Sequence, residues 1–194
     1  MVYTTLDGFQ NLIRLFHLSP ASSATGDIQG RLSVALLDDQ PEYEALSYAW
    51  GNANDTVAID IDGCLLPVTK NLYSALKHLQ LQEQERTLWV DALCINQADL
   101  GERMHQVSLM ASIYGQASQV IVWLGDGWDG SELAFKFLGV LGGDDKLHLD
   151  PLKSPHVKMT WSHPNISDFY EQVVNFFEVP WWSRVVRRPQ SRRQ

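Results

Sequence analysis

The chain has 194 residues, 45% of them hydrophobic and 20% charged, with a net charge of −8. That length suits one domain with its own core, and no apolar run nears the roughly 18 residues needed to span a bilayer. The acid excess argues against nucleic acid as the main partner, the more so because Arg184, Arg187, Arg188, Arg192 and Arg193 crowd into residues 184–194; removing those five from the net −8 leaves −13.

The first ten residues lack the basic start and long apolar stretch of a secretory signal. Residues 12–18 and 28–37 read as strands, joined by a loop rich in Ser, Ala and Gly. Residues 43–50 form a short apolar strand closed by Gly51. Residues 57–62 and 65–69 flank Asp62-Gly63, a hairpin signal, with Val57, Ile59 and Ile61 alternating. Leu72, Ala75, Leu76 and Leu79 recur at helical spacing and predict a helix over 71–81.

Residues 87–93 predict a strand, and 100–117 a helix with Met104, Val107, Met110, Ala111, Ile113 and Tyr114 inward. The continuous apolar run 119–124 reads as a strand buried on both faces, as in parallel sheets. A helix over 131–141 ends at Gly142-Gly143, a long loop covers 144–165, and a last helix covers 167–177. The alternation of strand and helix predicts a three-layer α/β fold of the flavodoxin kind. It has a largely parallel central sheet with flanking helices, plus an N-terminal β extension and hairpin. Residues 1–183 read as one domain with core motifs at 43–125, and 184–194 as a basic, disordered or aberrant tail.

The most informative segment is 88–97, Leu-Trp-Val-Asp-Ala-Leu-Cys-Ile-Asn-Gln. It starts as a buried strand and ends in Asp91, Cys94, Asn96 and Gln97, followed by Asp99, Glu102 and Arg103 on a helix start. Strands that deliver polar groups to their carboxyl ends build the ligand crevices of open α/β sheets. If the strands are neighbours, their ends add Ser47, Tyr48 and Trp50, and then Trp123 with Gly125-Asp126. Aromatic walls with a few polar groups suit a small molecule, while the plainer alternative is that the tryptophans only fill core.

Asp99-Leu100-Gly101-Glu102 and Asp129-Gly130-Ser131-Glu132 both show capping-box spacing. Either glutamate caps its helix, or it serves as a carboxylate at the crevice rim; the spacing alone leaves both open. Gly125-Asp126-Gly127-Trp128-Asp129-Gly130 matches a dinucleotide fingerprint, but two aspartates beside a pyrophosphate favour a plain glycine-rich turn. Cys64 and Cys94 are too far apart in sequence to suggest a disulfide framework, which fits a reducing cytoplasm. No histidine or cysteine spacing suggests a metal, Cys94 reads as a buried inert thiol, and no cofactor is expected.

Three blocks carry a resemblance. Residues 43–51, residues 88–97 continuing through Asp99, Glu102-Arg103, Gln106-Val107, Met110 and Ile113-Tyr114, and residues 120–125 are similar, in order, to the signature of the fungal heterokaryon incompatibility (HET) domain. The resemblance covers residues 11–183. It implies a role in fungal non-self recognition and programmed cell death, and a module that works beside a recognition protein or fused regulatory domain.

The family has also been compared with TIR domains, some of which cleave NAD with a glutamate. By strand position that glutamate is Glu132; by the strength of the HET pattern it is Glu102. Ser47, Tyr48, Trp50, Asp91, Cys94, Asn96, Gln97 and Arg103 are the ligand-binding candidates, with NAD as substrate rather than cofactor. The alternatives are a non-enzymatic module acting by self-association, and an inactive fragment. The last follows from the arginine-rich segment after Val185, where the family continues with a Trp-Val-x-Gln-Glu type sequence.

Overall fold

The computed structural model describes residues 2–8, 10–21, 27–132, 135 and 166–185, and the chain divides into two compact units, 1–125 and 126–194. In the first unit seven strands form one open sheet: β1 (Leu12–Leu18), β2 (Gln29–Leu36), β3 (Glu44–Tyr48), β4 (Thr56–Ile61), β5 (Cys64–Thr69), β6 (Arg86–Trp89) and β7 (Gln119–Trp123), ordered β5-β4-β2-β1-β6-β3-β7. The helices are α1 (Lys70–Leu79), the single turn α2 (Asp91–Cys94) and α3 (Leu100–Gln116). This is the α/β fold expected from the sequence. Its sheet is mixed: β6, β3 and β7 run parallel, as do β2 and β4, whereas β1 is antiparallel to both neighbours and β4–β5 is a hairpin.

Register fixes the layers. Ala45 and Tyr48 lie three apart on β3 and so face opposite ways. Trp89, paired with Ala45, meets Tyr114 of α3 edge-on at 5.5 Å. Trp123, paired with Tyr48, lies 4.8 Å from the His78 ring of α1. Helices α1 and α3 therefore cover opposite faces of the parallel strands.

Local chemistry explains the elements. Thr69 caps α1 by accepting the Leu72 N–H, and α1 buries Leu72, Ala75, Leu76 and Leu79, the four positions its periodicity marks. Each such leucine contributes about 1.5–3 kcal/mol of burial. The hairpin turns at Asp62 (φ 53°) and Gly63 (φ 78°), both left-handed, with Ile61 opposite Cys64. This is the two-residue turn that matches strand twist. Gly30 leaves room for the Phe16 ring, which any Cβ there would strike.

Three expectations are corrected. Strand β6 stops at Trp89 instead of running to Leu93, because Leu93 and Cys94 both turn back to donate their N–H groups to the Val90 carbonyl. The run 119–124 is not buried on both faces: among the described residues β7 is one of the sheet's two edge strands, with Val120 and Val122 exposed, and a short apolar run cannot by itself tell edge from centre. In α3, Met104 (68% exposed), Val107 and Ala111 point outward. Met110, Ile113 and Tyr114 do face inward as expected, joined by Gln106, because α3 carries two apolar stripes and only one can face the sheet.

In the second unit, α4 (Ile166–Glu178) precedes α5 (Trp181–Val185). Phe176 meets Phe135 at 5.7 Å and Trp182 at 5.3 Å, both edge-on, and Trp128 donates its indole N–H to Gln172 at 2.8 Å. Gly125, Gly127 and Gly130 all have positive φ, as a glycine-rich turn demands. The expected helix over 131–141 (apart from 131, 132 and 135), the loop over 144–165 and the tail from 186 lie outside the described residues.

Candidate functional site at the strand carboxyl ends

Strands β6, β3 and β7 are neighbours, so their carboxyl ends do meet. Trp50, just past β3, is 47% exposed and donates its indole N–H to the Asp91 carboxylate at 3.1 Å. Asp91 opens α2 and is buried, and Gln97 returns to it by donating its side-chain amide to the Asp91 carbonyl at 3.0 Å. Asn71, at the start of α1, ties two strand ends together. It donates to the Ala49 carbonyl at 2.6 Å and accepts the Trp123 indole N–H at 2.9 Å. The result is a ledge with one open indole face, a carboxylate beneath it, and a polar bridge to a second indole.

Glu102 neither lies open on this ledge nor closes a capping box. Asp99 caps α3 by accepting the Glu102 N–H at 3.0 Å, but the Glu102 side chain does not return to Asp99. It forms a fork with Arg14 of β1, at 2.5 and 2.9 Å, and accepts the Asn96 N–H at 2.7 Å. Both partners are sealed, with side chains only 2% and 7% exposed. Arg14 also donates to the Cys94 carbonyl at 3.1 Å and to the Thr4 carbonyl, and its guanidinium sits 4.9 Å from the Tyr3 ring centre. A buried charge needs such a partner set, because an unpaired one costs several kcal/mol. Tyr3, pressed onto this pair, has its pKa raised first by burial and then by Cys94 and Glu102.

The other candidates separate. Cys94 is fully buried, and burial lifts its thiol to about 12, so it is an inert core group. Tyr48 is core, and Ser47 is half-buried on the same strand. Asn96 is half-buried, its side chain accepting the Ala98 N–H at 3.2 Å to shape the turn. Arg103 is exposed on α3. Glu132 is exposed and belongs to the second unit. Arg14, Asn71 and His78 escaped the sequence reading. Only Arg14 left a signal, as the one fixed charge in a mostly apolar strand, Leu-Ile-Arg-Leu-Phe-His-Leu.

At the opposite, amino-terminal ends of these strands is a second cleft, where the Arg86 and Glu44 charges pair with each other. Glu44 also accepts from Gln119, and these bonds hold the Glu44 carboxyl below its usual pKa. Among the described residues no group of His, Cys, Asp or Glu is placed to hold a metal, and no helix is long and apolar enough to cross a membrane.

The signature blocks are those that frame the ledge, and a family model described as heterokaryon incompatibility protein (HET) matches residues 43–185. This chain belongs to the HET family. Over 143 residues it is 38% identical to heterokaryon incompatibility protein 6, OR allele, of Neurospora crassa, a match that takes in 67% of this chain and 21% of that protein. The chain thus spans about a fifth of that relative's length. No solved structure gives a significant match. The HET segment starts at Tyr43, so the arginine that clamps Glu102 comes from outside it.

Proposed function

We propose that this chain is an incompatibility module of fungal non-self recognition, acting in the cytoplasm as a cell-death effector, with the ledge of Trp50, Asp91, Asn71 and Trp123 as its ligand-contacting site. The observation that carries this reading is the Trp50 indole, held by Asp91 and half open to solvent at the carboxyl ends of three parallel strands. An open aromatic face beside a carboxylate suits a planar heteroaromatic ring carrying hydroxyls, which is what a nucleotide such as NAD offers. Cleavage at the nicotinamide–ribose bond is helped by negative charge near the sugar, where positive charge develops. Glu102 is matched by Arg14 and holds the Asn96 turn in place; in this reading Asp91, buried beneath Trp50 and bonded to its N–H, orients the ring and supplies negative charge from behind it.

The test is induced expression of the chain in a fungal host, paired with incubation of the purified protein with NAD. The expected outcome is growth arrest and free nicotinamide, both lost in Trp50→Ala and Asp91→Asn while the fold persists. Arrest that survives both substitutions sinks the ledge reading. A second reading, signalling by self-association without catalysis, is favoured by the exposed stripe of Leu100, Met104 and Val107 on α3. It predicts arrest without nicotinamide release, abolished by Met104→Glu.

A further inference from the structure

Away from the ledge, on β1, β2 and the approach to β6, three side chains stand in an order the HET motifs do not use. The Ser33 hydroxyl lies 2.7 Å from His17 Nε2, and His17 Nδ1 lies 3.0 Å from a Glu85 carboxylate oxygen. Arg31 in turn grips Glu85 with two N–H groups, at 2.8 and 3.3 Å. A carboxylate only accepts, so His17 carries its proton on Nδ1, and the neutral ring turns its Nε2 lone pair toward the Ser33 hydroxyl. Thr87, opposite His17 on β6, lies 3.2 Å from the same Nδ1 and helps fix the ring. Burial, followed by Arg31, pulls His17 below the usual imidazole pKa, which keeps the ring neutral and able to accept a proton near neutral pH.

A polar row on a sheet face ordinarily turns its hydroxyls to water. Here hydroxyl, imidazole and carboxylate are threaded in the sequence nucleophile, base, orienter. The geometry points to Ser33 as a nucleophile activated by His17, with Glu85 as positioning residue, taking short acyl groups from carboxylic esters. Leu15, paired with Ser33, is buried, and Ala35, two residues along on the same face, is half-buried, so the space beside the hydroxyl suits only a short acyl group. The Ser33 oxygen attacks the ester carbonyl and its proton passes to His17 Nε2. The carbon–oxygen bond to the alcohol breaks, and the alcohol leaves with that proton. Water then attacks the acyl-serine, its proton passing to His17 Nε2 and from there to the Ser33 oxygen as the acyl–oxygen bond breaks and the acid is released.

The test uses the full chain with p-nitrophenyl acetate and, separately, an alkyl fluorophosphonate, in which the serine–phosphorus bond replaces the phosphorus–fluorine bond. The expected result is a nitrophenol burst and a fluorophosphonate adduct mapped to Ser33, both absent in Ser33→Ala. His17→Asn is expected to slow adduct formation roughly a hundredfold or more. Glu85→Gln removes the charge that raises the His17 pKa, so the pH midpoint of labelling is expected to move down. No adduct on the wild-type chain, equal labelling of Ser33→Ala, or a rate indifferent to His17→Asn each overturns the assignment. If His17→Asn does not fold, Ser33→Ala, which removes one hydroxyl, decides alone.

Discussion

Asp91 and Glu102 come from one signature segment, yet the structure puts them to opposite uses. Asp91, itself buried, anchors a half-open indole at a strand end, while Glu102 is locked against Arg14, a residue 88 positions away. Carboxylates that look equally available in sequence are sorted by what the fold brings beside them. The clamp spends its charge on fixing a turn, and the ledge keeps its aromatic face turned to solvent.

The clamp is where substitution costs most. Arg14→Ala leaves Glu102 buried and unpaired, and is expected to lower unfolding free energy by about 3–5 kcal/mol in a urea titration. A loss under about 1 kcal/mol would mean the pair is wetter than its burial implies. On the ledge, Asp91→Asn keeps an acceptor for the Trp50 N–H, so about 1 kcal/mol is expected, with activity lost far beyond what that explains. Trp50→Ala removes a half-exposed ring, and thermal melts should show a loss of around 1 kcal/mol or less. Met104→Ser, on the outward stripe of α3, is expected to stay within about 0.5 kcal/mol and to leave activity unchanged unless self-association is the mechanism.

Alkaline pH sharpens the contrast between sealed and open groups. Burial raises Cys94 from 9.0 to about 12 and Tyr43 from 10.0 to about 12. The folded state therefore holds those protons more tightly than the unfolded chain. Their contribution is full below about pH 9 and is lost as pH rises toward 12. Native-state alkylation at pH 8 should spare Cys94 until the chain unfolds.

Local patterns were legible in the sequence wherever one interaction decides the structure. The α1 stripe and the Asp62-Gly63 hairpin follow from spacing and turn chemistry, whereas the adjacency of the three signature strands was a condition that only the sheet order met. The ledge was half legible: Trp50 and Asp91 were named, but Asn71 was not, because its partners Ala49 and Trp123 lie in other elements. The clamp was not legible, since no short-range rule pairs residue 14 with residue 102. The two stripes of α3 were equally apolar, and only Gln106, donating to the Leu12 carbonyl at 2.7 Å, shows which side packs.

The most direct test separates structure from chemistry at Glu102. Replacing Arg14→Met together with Glu102→Gln removes both buried charges and keeps an acceptor for the Asn96 N–H. Replacing a buried pair in this way is often neutral for stability. The measurement is growth arrest by the doubly substituted chain, taken beside its melting temperature. Arrest retained with the fold intact is the predicted result; arrest abolished in a chain that melts like the wild type would make Glu102 a reacting group and contradict the account.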